Sequence, residues 1–275
     1  MRFGVSTFLT DEGIGPAALG PALEERGFDA LLLAEHTHIP VKRETPYPAG
    51  GDLPRVYYRT LDPFVALAAV ASVTRKLLLG TGIALVVERD PIITAKEMAS
   101  LDLVSGGRAV FGVGAGWNRE EMRNHGTDPA QRGRLMDERI RAIIELWTKD
   151  EAEFHGDFVD FDPVYSWPKP VQGPYPPLWV GGNSDRAFAR VAEHGTAWMP
   201  SGVPPKELGA RIDRMRQVAG DGPTVVVYAA RHDRESLDIY AELGVERVLL
   251  YLPTRPEDQT LRTLDELAEA ASAYR

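Results

Sequence analysis

One junction recurs along this chain and limits its folds more than any other feature: a helical pattern runs into a glycine and then into a short apolar strand. It occurs at Glu25-Arg26-Gly27-Phe28-Asp29 before residues 30–34, at Glu193-His194-Gly195 before 196–199, and at Glu242-Leu243-Gly244-Val245 before 247–252. Helices commonly end on a residue at positive φ, which glycine adopts at little cost. Runs such as Leu77-Leu78-Leu79 and Val225-Val226-Val227 are apolar without alternation, the pattern of strands buried on both faces of a parallel sheet. Strands are expected near 2–7, 29–34, 77–83, 108–114, 178–181, 196–199, 223–230 and 246–252, each followed by a helical pattern.

About eight βα units close a barrel, whereas a doubly wound open sheet usually holds fewer strands. The expectation is therefore a (β/α)8 TIM barrel, one domain over residues 1–275, with extended loops at its C-terminal mouth. Barrel active sites form at the carboxyl ends of the strands. Three connections there exceed what a barrel requires: 35–60, 115–130 and 150–177, the last containing a hairpin pattern at 153–158.

Charge and composition then exclude several function classes. With 31 Lys and Arg against 40 Asp and Glu, the net charge is −9, and no basic run interleaves with aromatics, so nucleic acid is not an expected partner. The absence of cysteine removes disulfides, thiol nucleophiles and Cys-type zinc sites, and fits the cytoplasm. Residues 1–6 enter a strand pattern at once, and no apolar run approaches the ~20 residues that span a bilayer, so neither an export signal nor a membrane anchor is expected.

Four constellations could carry chemistry. In Ala34-Glu35-His36-Thr37-His38, two histidines two apart share a face of extended backbone. They could share a metal, lie in a surface loop, or place an imidazole at the mouth as a proton carrier. A metal needs ligands at other strand ends, and His125, His155, His194 and His232 fall mostly in loops or at helix ends, so none is expected. Leu79-Gly80-Thr81-Gly82-Ile83 brings glycines to a strand end, marking a kink, a close approach or a plain terminus. Phe111-Gly112-Val113-Gly114-Ala115-Gly116-Trp117-Asn118, followed by Glu120 and Glu121, bares backbone to a flat ring or a phosphate without matching the dinucleotide fingerprint. In Leu178-Trp179-Val180-Gly181-Gly182-Asn183-Ser184-Asp185, Asn183 or Ser184 caps a helix behind two glycines, as an anion cradle or an ordinary turn.

In this order, and with Gly106-Gly107-Arg108 and Trp198-Met199-Pro200, these motifs resemble the luciferase-like monooxygenase superfamily across nearly the whole chain, and within it the deazaflavin-dependent oxidoreductases. The resemblance implies a cofactor ring at the barrel mouth, either coenzyme F420 or, alternatively, flavin mononucleotide (FMN). It implies a non-proline cis peptide at Gly82-Ile83 backing that ring, His36 facing its reactive part, and Glu35 as the acidic residue beside it. It also implies Gly114, Ala115 and Gly116 along the ring and ribityl chain, with Gly181, Gly182, Asn183 and Ser184 at the phosphate. Two residues depart from relatives: Trp117 stands where sugar-phosphate dehydrogenases carry a glutamate, and Ala115 where luciferases carry a phosphate-binding arginine.

The expected activity is hydride transfer between coenzyme F420 and a small-molecule substrate under the loop 37–60, with His36 handling a proton. A reduced-FMN monooxygenase is the alternative enzyme, and a non-catalytic cofactor-binding barrel the alternative of another class. Because the deazaflavin coenzyme ends in a phosphate and an oligoglutamate tail, a local basic patch is required. Lys42, Arg43, Arg55 and Arg59 in one loop, and Arg119 and Arg123 in another, are its expected members. A homodimer is favoured by the resemblance, although no clear apolar stripe announces an interface.

Overall fold

A computed structural model describes residues 1–275. In chain order its elements are β1 (Arg2–Thr7), α1 (Pro16–Glu25), β2 (Ala30–Leu33), α2 (Pro63–Val73), β3 (Leu78–Thr81), β4 (Ala84–Leu85), α3 (Pro91–Ser105), β5 (Ala109–Gly114), α4 (Arg119–Asn124) and α5 (Arg132–Thr148). An antiparallel hairpin, β6 (Glu151–His155) and β7 (Asp160–Tyr165), comes next. The chain continues through β8 (Leu178–Gly181), α6 (Asp185–His194), β9 (Ala197–Met199), α7 (Pro205–Ala219), β10 (Thr224–Ala230), α8 (Arg234–Glu242), β11 (Arg247–Tyr251) and α9 (Glu257–Ser272).

Eight parallel strands form a closed ring in the order β1-β2-β3-β5-β8-β9-β10-β11, with β11 pairing back to β1. This is the expected TIM barrel, and the apolar strands explain it. Leu31 and Leu33 of β2 pack outward under the helices, while Leu32 joins Val110, Trp179, Met199, Val226 and Leu249 inside the ring. Both faces of each strand are thus removed from water, which an alternating apolar and polar strand could not tolerate.

Helix starts repeat one device. Asp62 and Asp90 accept the Val65 and Ile93 amides at 3.0 and 2.9 Å, and each is followed by a proline at the first helical position. Helix ends are less uniform than expected. Gly27 and Gly244 take φ of +72° and +68°, but Gly195 sits at −83°. Glycine is required there by packing, since a Cβ would lie 2.9 Å from Val191 Cα.

The third strand is shorter than the expected 77–83. It stops at Thr81 and resumes as β4 beside β5 after the Gly82–Ile83 peptide, which is cis, as the resemblance implied. At the hairpin tip, the buried Glu138 of α5 accepts the Phe158 amide at 2.8 Å and fixes the turn against the barrel.

The outer surface corrects one expectation. Val65 and Val73 of α2 and Ile92, Ile93, Leu103 and Val104 of α3 are exposed, on two helices packed side by side. Helix α2 holds no charged residue and is apolar all round, so no polar face set its exposed side apart in the sequence. No helix is long and apolar enough to cross a membrane.

Candidate active site

The carboxyl end of β2 delivers Glu35, His36 and Thr37 to the mouth, and extended backbone sends adjacent side chains to different partners. Glu35 accepts the Leu85 amide at 2.7 Å and Arg89 Nε at 2.6 Å, and Arg89 also binds Asp62 and Glu97. Both carboxylate oxygens of Glu35 are thereby committed to tying the end of β2 to β4 and to the start of α3. His36 Nδ1 lies 2.6 Å from Oε2 of Glu121, a fully buried side chain of α4, and the Thr37 amide donates to Oε1 of the same carboxylate at 3.1 Å. His38 goes elsewhere, to Thr37 Oγ1 and Asn124, so the two histidines do not converge.

Aromatic rings enclose His36. Tyr57 and Trp117 lie 5.2 and 5.8 Å from it, centroid to centroid, Tyr47 and Phe8 pack against Tyr57, and Tyr57 donates to the Tyr47 hydroxyl at 3.2 Å. Burial, followed by the Tyr47 hydroxyl, raises the Tyr57 pKa, so Tyr57 stays a neutral phenol at physiological pH. The long loop 37–60 supplies Tyr47 and Tyr57.

Of the four basic residues expected of the same loop, Lys42, Arg43, Arg55 and Arg59, the last two are neutralised by carboxylates, and none of the four lines the cavity beside Trp117. Arg55 is paired with Glu12 at 2.6 Å, Arg59 with Asp11 at 2.8 Å, and Arg43 stacks on the Trp117 ring. Arg55 and Arg59 are compensated by carboxylates that sequence distance had hidden, 43 and 48 residues away along the chain.

On the other side of Trp117 opens a cavity of about 800 Å³. Ile83, Gly114, Ala115, Gly116, Gly181, Gly182 and Ser184, all expected site residues, line it together. Two glycines make its floor. A Cβ at Gly114 would fall 2.0 Å from Ile83 Cδ1, and one at Gly181 would fall 3.3 Å from Ile83 Cγ2, so the Ile83 side chain lies as a shelf over a bare Gly114 and packs closely on Gly181. Gly82 lies beneath, closed off by the Tyr228 ring. Gly116 and Gly182 take φ of +69° and +104°, and the Gly182 carbonyl accepts Trp198 Nε1 at 2.7 Å. Ser184 caps α6 through the Ala187 amide at 3.4 Å. Asn183 is turned from the cavity to the Ser201 carbonyl at 3.0 Å, holding the turn.

The polar wall of the cavity is its main surprise. Arg119 and Arg123, both expected, are joined by Arg132, Arg186 and Arg190, with Asp128 the one carboxylate among the lining residues. Arg190 is paired with Asp137 at 2.5 Å and Arg123 with Glu120 at 3.4 Å, whereas Arg119, Arg132 and Arg186 have no ion-pair partner in the protein. A chain of net charge −9 thus carries a locally cationic pocket. One signal for the missed arginines was present: Arg132 opens α5 and Arg186 is second in α6, where the helix dipole disfavours a cation. No such signal existed for the pairing of Glu121 with His36, which spans 85 residues.

Comparison with known proteins adds the following. A family model described as luciferase-like monooxygenase matches residues 17–243. An uncharacterized protein of Mycobacterium tuberculosis is 41% identical over 276 residues, covering 98% of each chain. Among solved structures, a monooxygenase from Streptomyces bottropensis matches with a TM-score of 0.81 at 21% identity, over 100% of this chain and 99% of the other. The coenzyme F420 dependent tetrahydromethanopterin reductase of Methanopyrus kandleri matches with a TM-score of 0.73 at 16% identity, over 98% and 96%. At these identities the structural likeness establishes the shared fold.

Proposed function

The chain belongs to the luciferase-like monooxygenase family, and from that premise we propose that it is an oxidoreductase transferring a hydride between coenzyme F420 and a small organic substrate. The observation that carries the reading is the set of three unpaired arginines. Arg119 opens α4, Arg132 opens α5 and Arg186 stands in the first turn of α6, all lining one cavity. Each cation is set against a helix dipole, and together they repel one another. A ligand with several negative charges relieves both costs. A phosphate and an oligoglutamate tail supply several charges, whereas FMN supplies one phosphate.

The remaining residues fit such a group. The shelf of Ile83 between Gly114 and Gly181 leaves room for a flat ring against bare backbone, and the amides at Gly182 and Ser184, with Arg186, suit the phosphate. Arg119 and Arg132 would hold the tail. When bound, the deazaflavin gives or takes two electrons as a hydride. The protein orients, excludes water and moves a proton. Trp117 borders both the cavity and His36, so His36 is the group that would exchange a proton with the substrate, under the rings of Tyr47 and Tyr57. Glu35 would act by holding the end of β2 in place.

Titration of the protein with coenzyme F420 and with FMN, followed by absorbance and fluorescence, tests the reading. The deazaflavin should bind more tightly. Arg132→Ala should weaken it about tenfold at low salt, as expected for one charge-assisted contact, and the loss should shrink as salt rises. FMN affinity should be insensitive to Arg132→Ala. Tighter FMN binding would instead support the reduced-flavin monooxygenase, and tight binding of either cofactor without turnover on any carbonyl or alcohol would support a binding protein.

The exposed apolar face of α2 and α3 is read as the interface of a homodimer, since a second copy offers the same apolar side chains of Val65, Ile93 and Val104. Light scattering at micromolar protein should return twice the chain mass, and Val65→Lys combined with Ile93→Lys should return one. A wild-type monomer under the same conditions would remove the proposal.

A further inference from the structure

Glu121 has an environment that the reaction outlined above does not yet use. Its side chain is 0% exposed, and no lysine or arginine pairs with it. It reaches the mouth because α4, a single short helix after β5, turns Glu121 and Met122 inward, while Glu120 pairs with Arg123 at 3.4 Å. Both oxygens are engaged, Oε1 by the Thr37 amide at 3.1 Å and Oε2 by His36 Nδ1 at 2.6 Å.

We propose that Glu121 is the positioning residue for His36: as an acceptor-only carboxylate it compels the ring proton onto Nδ1 and leaves Nε2 as the nitrogen that meets the substrate. This deepens the reading of His36 as the proton-exchanging group and rests on it. An ionised carboxylate can only accept hydrogen bonds, so a nitrogen 2.6 Å away must carry a proton in either charge state of the ring. His36 Nε2 has no hydrogen-bond partner within the protein, and the His36 ring is packed by Tyr57 and Trp117, which fix its plane.

The other titratable groups around Glu121 have partners or environments of their own. The charge of Glu35 is met by Arg89. Glu88, buried with neither oxygen bonded, is pushed up to about 9 by burial and then by Glu121 and Glu35, so it is a neutral acid at pH 7. His125 is pushed down by burial and then by His38, and shares Thr37 Oγ1 with that residue. His36 is the one titratable side chain in hydrogen-bond contact with Glu121.

Glu121→Gln tests the assignment because an amide cannot serve both donors. If its oxygen keeps the Thr37 amide, its NH2 faces His36 Nδ1, which must then accept, and the ring proton moves to Nε2. In coenzyme-free protein, nitrogen NMR of His36 should show protonated Nδ1 in the wild type and bare Nδ1 in the Gln variant. Turnover should fall about 10²–10⁴-fold with coenzyme Kd unchanged, the range that a general acid or base contributes. Glu121→Asp, which keeps the acceptor chemistry at a shorter reach, should keep Nδ1 protonated and recover part of the lost turnover.

Protonated Nδ1 in the Gln variant, or an Asp variant as impaired as the Gln variant, would overturn the proposal and leave Glu121 a packing residue. Should the Gln variant fail to fold, the Asp variant decides alone, by the Nδ1 state and by retained turnover. The NMR readout needs no coenzyme, so it stands or falls separately from the choice between coenzyme F420 and FMN.

Discussion

His36→Ala is expected to cost about 10²–10⁴ in turnover, the range of a lost general acid or base, while the coenzyme still binds. The two effects separate because His36 is not among the residues lining the arginine cavity, which it meets only through its neighbour Trp117. The substitution has a second consequence. It removes the Nδ1 donor that Glu121 accepts from and leaves a buried carboxylate oxygen without a partner, which costs about 1–3 kcal/mol. Activity must therefore be measured well below the lowered melting temperature. Adding Glu121→Gln to His36→Ala should restore much of the stability and none of the turnover. Unchanged turnover in the single variant would end the proton-transfer role of His36.

Gly112→Ala should produce the largest loss of stability of any single methyl addition in the barrel. A Cβ at this position would fall 1.9 Å from the Thr81 carbonyl oxygen, which is backbone and cannot swing aside, and 3.1 Å from Met199 Cε. The approach is held closed from the other direction, since Thr81 Oγ1 donates to the Gly112 carbonyl at 2.7 Å. Over-packing of this kind costs about 3 kcal/mol or more, because β3 and β5 must part where they close the ring. In a chain of this length that is on the order of 6–10 °C in Tm. Gly173→Ala is the control, with open space around its Cβ position. Equal melting temperatures for the two variants would show that the barrel yields at β3 more readily than this packing implies.

The structure also shows which features local sequence pattern could reveal. All eight barrel strands lie within two residues of their expected positions, because burial on both faces leaves a mark that each strand carries by itself. The glycines at 114, 116, 181 and 182 were visible as motifs for a similar reason. A cavity floored by bare backbone needs small residues in sequence, at a strand end.

The polar half of the site was harder to read. Arg55 and Arg59 carry the same sequence signal as Arg132 and Arg186, a cation in a region rich in loops, yet the first two meet Glu12 and Asp11 while the last two face an open cavity. Only position in the helix distinguished them, as Arg132 and Arg186 sit in first turns where a cation is disfavoured.

By itself, then, the sequence determined the barrel, its strand order and the bare-backbone shelf, since hydrophobic period and glycine placement are local properties of a few consecutive residues. The tertiary structure decided which charges are free, which carboxylate holds His36, and that α2 and α3 present an apolar face to solvent. Those outcomes depend on Coulomb and hydrogen-bond contacts between residues such as His36 and Glu121, or Arg55 and Glu12, that the chain separates by 85 and 43 positions and the closed barrel brings within 2.6 Å. Electrostatic energy depends on distance through space, and chain separation does not encode that distance until the ring of strands has closed.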